Sequence, residues 1–181
     1  MTQYARPVSD KAEDGNWSST DESGGSAVFY SAIDESSASD SDYITGDGSS
    51  GSAIQIDFEL TNGLTDPSAT TGHKLIFRYN TDGSSTDATL TVRLMEGATV
   101  RMSDAVDVSE VSSYTTRTYA PTNTTGSIGS YDNMFLRIIF EDGDASDNVY
   151  ISQAYVEVPD ASAGTDAVPV SLNTYRQMRE R

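Results

Sequence analysis

Oxygen-bearing side chains dominate the chemistry this sequence could perform. The string Glu141-Asp142-Gly143-Asp144-Ala145-Ser146-Asp147-Asn148 spaces Asp142, Asp144 and Asp147 so that several oxygens could gather around a cation. Calcium suits such a set, because it takes about six to eight oxygen ligands. The same string also reads as a plain turn, since Asp, Gly and Asn tolerate turn backbone angles without a metal. It lacks the downstream Glu of a helix–loop–helix calcium loop. A second acidic connection holds Asp34, Glu35, Asp40, Asp42 and Asp47. The plain turn is the expected reading and no cofactor is expected; calcium is the one cofactor these acids could otherwise take.

Catalysis finds less to work with. His73 is the single histidine and there is no cysteine, so a Ser-His-Asp triad would have to run through His73. No G-x-S-x-G elbow accompanies it. With 28 acidic residues, a pair suited to glycoside hydrolysis cannot be picked out by spacing. The expectation is a non-enzymatic protein with His73 at a strand edge or on the surface. Trp17 offers an indole face that could stack on a pyranose ring. Its position in the leading segment suits plugging one end of the sandwich better than stacking on a ligand. Asn16 and Asn123 head Asn-x-Ser/Thr triplets, a short pattern that a Ser/Thr-rich chain produces by chance.

The bulk numbers narrow the partners. The chain has 181 residues and a net charge of −17. Nucleic acid is excluded, because phosphates require Lys and Arg, and so are anionic membrane surfaces. No apolar run is long enough to span a bilayer. The opening residues show no apolar leader, so export by a signal peptide is not expected.

Something must position these residues, and period-two patterning says what. Ile54, Ile56, Phe58 and Leu60 alternate with Gln55, Asp57, Glu59 and Thr61, the signature of a strand with one wet face. Leu75, Phe77 and Tyr79 repeat it, as do Leu90, Val92 and Leu94. Met134, Leu136, Ile138 and Phe140 mark a more buried strand, and 114–119 is β-prone. In the last run Val149 and Ile151 are odd-numbered, whereas Ala154, Val156 and Val158 are even. A bulge near Ser152-Gln153 keeps both sets inward. Turn signals at Asn62-Gly63, Asp82-Gly83, Glu96-Gly97 and Asp142-Gly143 separate the strands. About eight strands with long connections at 34–52 and 120–133 predict an all-β, antiparallel two-sheet β-sandwich, jelly-roll-like in its crossings.

Three regions follow. Residues 1–26 read as an N-terminal arm leading into the fold, 27–158 as the sandwich, and 159–181 as a linker and C-terminal tail. In the tail, Leu172, Tyr175 and Met178 fall at i, i+3 and i+6, with Arg176 and Arg179 beside them. Residues 18–72 carry ten acids and no Lys or Arg. A basic, apolar tail next to an acidic body invites contact between subunits. Tyr4, Trp17, Leu172, Tyr175, Arg176, Met178 and Arg179 are therefore the expected partner-binding set.

Several short motifs carry a family resemblance. Arg6-Pro7-Val8-Ser9-Asp10, then Gly15-Asn16-Trp17, then FYSAIDE at 29–35, then DSDYI at 40–44, and a last strand ending Val156-Glu157-Val158-Pro159, resemble small virion structural proteins of tailed bacteriophages. The likeness covers roughly residues 5–159; the tail lies outside it. It implies an apolar strand before Asp34 and a non-catalytic jelly roll assembled on a virion. The first expectation is a capsid decoration (cement) protein. It would sit as a homotrimer on the major capsid protein, at the outer surface of the head, after synthesis in the host cytoplasm. The alternative is a tail-associated fibre or baseplate protein, or a carbohydrate-binding jelly-roll module that touches glycan.

Overall fold

The computed structural model describes residues 2–20, 28–82, 87–109, 111–143 and 147–160. Its strands are β1 (Gln3–Ala5), β2 (Pro7–Glu13), β3 (Trp17–Thr20), β4 (Tyr43–Asp47), β5 (Ile54–Leu60), β6 (Lys74–Thr81), β7 (Ala88–Glu96), β8 (Thr99–Asp107), β9 (Thr115–Tyr119), β10 (Met134–Asp142) and β11 (Asn148–Val158). They form two antiparallel sheets. Sheet I runs β3-β4-β11-β6-β9, and sheet II runs β2-β5-β10-β7-β8. The N-terminal half of β11 pairs with β4 and its C-terminal end with β1. From β4 to β7, and again from β9 to β11, successive strands alternate between sheets, so most connections cross the sandwich in jelly-roll fashion. The β7–β8 connection is a tight hairpin, with Gly97 in the left-handed region (φ 54°).

The alternation seen in the sequence places the core. Ile44, Leu75, Phe77, Val149, Ile151, Ala154, Val156 and Val158 line the inner face of sheet I. Ile54, Ile56, Phe58, Leu60, Leu90, Leu94, Leu136, Ile138 and Phe140 line that of sheet II, and all are buried. The phase change in β11 is a register shift between Ile151 and Gln153, which returns Ala154 and Val156 to the core. One ion pair joins the edge strands of the two sheets. Arg117 of β9 donates through Nε to Asp104 Oδ2 of β8 at 2.8 Å and through Nη2 to Oδ1 at 3.2 Å. Asp104 is buried, so this pair lets a carboxylate sit at the sandwich rim.

Three expectations change. The segment read as an N-terminal arm is not loose: residues 3–20 hold β1, β2 and β3, which pair with β11, β5 and β4. β1 and β3 are short and β2 is exposed on both faces over most of its length, so these strands pair through backbone and gave little alternating hydrophobic signal. The apolar strand implied before Asp34 is instead a 3-10 turn at Phe29–Ala32, whose Ala32 and Ile33 enter the core. His73 is not at the surface. It is 1 % exposed, with Nε2 2.8 Å from the Tyr131 hydroxyl, a bond that offsets the cost of enclosing the imidazole.

Candidate functional site

The outer face of sheet I gathers tyrosines. Residues directly opposite in a ladder share a face, so the registers can be read as rows. One row runs Thr45, Tyr150, Asn80 across β4, β11 and β6, and Tyr114 lies at the head of β9 next to it. The next runs Gln153, Arg78, Thr116, and the next Tyr155, Ile76, Thr118. Tyr43 meets Tyr150 edge to face, with ring centroids 5.5 Å apart. The Arg78 guanidinium lies over the Tyr114 ring at 5.5 Å. Tyr43, Tyr114, Tyr150, Arg78 and Asn80 thus make one half-buried patch.

Acidic residues orient this patch. Asp40 takes two bonds from Arg78, at 2.7 Å from Nε and 2.6 Å from Nη2. Arg78 also donates to Thr116 Oγ1, and Ser152 donates to Asp40. This fork fixes the guanidinium plane, and the bonding holds the Asp40 carboxyl below its ordinary range. Tyr150 donates to Asp82 Oδ1 at 2.6 Å, and Asn148 Nδ2 donates to the other oxygen at 2.8 Å. Burial, aided by that bond, pushes the Tyr150 phenol up to about 12. Burial beside Asp40 moves Tyr114 in the same direction. Both are therefore neutral hydroxyls at physiological pH. Beneath them, Asn80 Oδ1 is buried with no hydrogen-bond donor.

The acidic connection at 34–42 turns out to cover this same face. Arg6 donates to the main-chain oxygens of Asp34 and Glu35, and Gln153 Nε2 donates to that of Glu35 at 2.8 Å. On the far side of the loop, Arg6 stacks over Tyr4 and Tyr155, at 5.5 and 4.6 Å from their centroids. The loop is thus a ridge between two aromatic groups. Its own carboxyls meet: Glu35 lies beside Asp42, and neither Glu35 oxygen nor Asp42 Oδ1 has a donor. Burial, then the neighbouring Asp42 and Asp34 charges, push Glu35 up to about 7.

The structure sorts the residues singled out from sequence. Tyr4 is 46 % exposed and sits on the sheet I outer face. Trp17, expected among the partner-binding residues, is instead buried. Its ring fills the space above Gly46, where a Cβ would come within 2.9 Å of the indole, and packs beside Val149. Asp142 and Asp147 do come together, but inside the fold: the Asp147 N–H donates to Asp142 Oδ2 at 2.7 Å. Among the described residues, no set of three His, Cys, Asp or Glu is placed to hold a metal ion. Asp144, Leu172, Tyr175, Arg176, Met178 and Arg179 lie outside the described residues. Tyr114, Tyr150, Arg78 and Asn80 were missed, although parity marked three of them. Tyr150 is out of phase with Val149 and Ile151, as Arg78 and Asn80 are with Phe77 and Tyr79.

No family model matches the chain, and no curated protein matches it either. Solved structures do. An arabinose-bound MgGH51 α-L-arabinofuranosidase aligns with a TM-score of 0.53 at 15% identity, over 84% of this chain and 25% of the enzyme. The CBM36-1 domain of a multidomain xylanase, from the hindgut metagenome of Trinervitermes trinervoides, gives 0.46 at 11% identity, over 90% of this chain and 100% of the domain. A cyclase from Fischerella sp. TAU in complex with 4-(1H-indol-3-yl)butan-2-one gives 0.48 at 14% identity, over 88% and 91%. This chain spans a quarter of the arabinofuranosidase's length. What the likeness to that enzyme shows is the fold, an antiparallel two-sheet sandwich whose strand order is that of a jelly roll.

Proposed function

We propose that this chain is a non-catalytic β-sandwich module that binds glycan on the outer face of sheet I. One observation carries the reading: Tyr43, Tyr114 and Tyr150 converge around an Arg78 held rigid by Asp40, above a buried Asn80 oxygen that lacks a donor. Tyrosine rings give apolar surface to the C–H faces of a pyranose at low entropic cost. The Arg78 guanidinium and the phenols supply directional bonds to ring hydroxyls. Charge also fits, since a neutral ligand is not repelled by a net −17 body. The lone histidine is enclosed and bonded to Tyr131, which removes the usual acid–base group from either outer face.

The same face would serve a tail fibre or baseplate protein that touches host glycans. The capsid-decoration reading rests on the resemblance carried by the short motifs between Arg6 and Pro159, and most of the residues expected to make its contacts lie in the tail, outside the described ones. The test is a glycan array probed with the purified chain, followed by Tyr114→Ala and Tyr150→Ala variants. Binding lost in both variants, with the fold intact by circular dichroism, is the expected result. Glycan binding unchanged in both would overturn the assignment of the site.

A further inference from the structure

The free edge of β9 is unguarded. β3 and β9 bound sheet I, and β2 and β8 bound sheet II. A turn lies along β8, where the Thr125 N–H donates to the Arg101 main-chain oxygen at 2.8 Å and Arg101 Nη1 donates to the Thr125 oxygen at 2.7 Å. The 3-10 turn lies along β2, its Phe29 and Tyr30 N–H groups donating to the Asp10 carboxylate. Among the described residues, the main chain of β9 bonds only to β6. The Thr81 N–H of β6 donates toward the β9 side, to the Val111 oxygen, whereas the Asp82 N–H donates to Asn148 of β11. Leu75, Phe77 and Tyr79 therefore turn their main-chain groups to Tyr119, Arg117 and Thr115. That leaves the N–H and C=O of Thr116 and Thr118 on the open edge. β9 has no proline and no bulge, and its one charge, Arg117, is tied to Asp104. Such an edge is a template for another strand.

The inner side of this edge is also unfinished. Phe77 and Tyr79 are buried, yet Arg117 and Thr115 opposite them are exposed, and Tyr119 and Val106 are only partly covered. The chain leaves the described residues close by. The Pro159 carbonyl accepts from Gln3 Nε2 at 3.3 Å, and the Pro159 ring lies against Gly72, just before β6. Val156, Leu75 and Tyr119 form one row across β11, β6 and β9, so this exit is level with the C-terminal end of β9. A further strand on β9 would stand about 14 Å from β11, three strand spacings away. Residues 161–169 can span up to ~30 Å. We propose that residues 170–175 of the tail add to β9 of the same chain as an antiparallel strand. Val170 and Leu172 alternate with Ser171 and Asn173. Turned inward, Val170 and Leu172 cover Tyr119 and the Arg117 stem, and Ser171 and Asn173 then face Thr118 and Thr116 in main-chain pairing. Pro169 falls at the start of the strand, where a missing donor is tolerated. Tyr175 has the parity of Ser171 and joins the outer face that carries Tyr114.

Amide hydrogen exchange of the full chain, followed residue by residue by NMR, tests this. The Thr116 and Thr118 amides should be protected, as the Arg117 and Tyr119 amides are by β6. Ser171→Pro combined with Asn173→Pro removes both main-chain donors on the paired side of the tail. The double variant should speed exchange at Thr116 and Thr118 by at least about tenfold and leave Arg117 and Tyr119 slow. Those two reference amides also report that the sandwich remains folded. Fast exchange at Thr116 and Thr118 in the unaltered chain, or protection that survives in the double variant, would overturn the proposal. Protection that grows with protein concentration would assign the added strand to a second copy and overturn the intramolecular pairing.

Discussion

Replacing Glu35 by Gln should change stability in a pH-dependent way. Both Glu35 carboxyl oxygens are buried without a donor, and the nearby donors Arg6 and Gln153 go to its main-chain oxygen instead. Burial and the adjacent Asp42 raise the carboxyl from 4.5 to about 7. The folded protein therefore holds a proton that the unfolded chain has released between these pH values. Stability then falls as pH rises through that window and is fully relieved below it. At ~1.4 kcal/mol per pH unit, a fully enclosed group shifted this far would cost about 3 kcal/mol. Glu35 is only half-buried, so solvent screening reduces this to about 1–2 kcal/mol. Urea unfolding of wild type and Glu35→Gln, followed by circular dichroism at several pH values from 5 to 8, measures it. The variant should be more stable by that amount at pH 8, with the gap closing toward pH 5. Burial lowers the His73 imidazole, so wild type also loses stability as pH falls below 6.5. That loss is common to both proteins and cancels in the difference. A stability difference independent of pH would refute the reasoning.

Other perturbations test the frame that holds the site. Arg117→Met leaves the buried Asp104 carboxylate without its partner at the sandwich rim. Because Arg117 itself is partly exposed, a loss of about 2 kcal/mol is expected in urea melts, and Asp104→Asn on that background should recover part of it. Gly48→Ala would set a Cβ 2.2 Å from the Asp147 main-chain oxygen. Backbone must move, so thermal unfolding should show a loss of about 1–3 kcal/mol. Gly63→Ala meets no neighbour and tests strain alone, with φ at 76°; a smaller loss of about 1 kcal/mol is expected.

Period two made most of the fold legible. β5, β6, β7, β10 and β11 announced themselves because each buries one face, and even the β11 bulge was visible as a change of parity. β1, β2 and β3 were not visible, since residues such as Ala12, Glu13 and Ser18 pair through backbone while their side chains are exposed. β8 was equally hidden: Thr99–Asp107 places Asp104 inward, against the pattern, and only Arg117 on another strand makes that tolerable. The candidate site was half legible. Parity assigns Tyr150, Arg78 and Asn80 to an outer face. That Asp40 would return over the sheet to grip Arg78 depends on the path of a loop with no periodicity. Trp17 attracted attention as the one indole, yet a neighbouring glycine, Gly46, makes room for it inside.

The central claim is that the tyrosine face of sheet I meets sugar. Aromatic-region NMR of the chain, titrated with the highest-ranking saccharide from the array, tests it most directly. Ring resonances of Tyr43, Tyr114 and Tyr150 should shift together and saturably, with those of Trp17 and Tyr131 unmoved. Shifts confined to Phe135, or to rings of the enclosed core, would contradict the account.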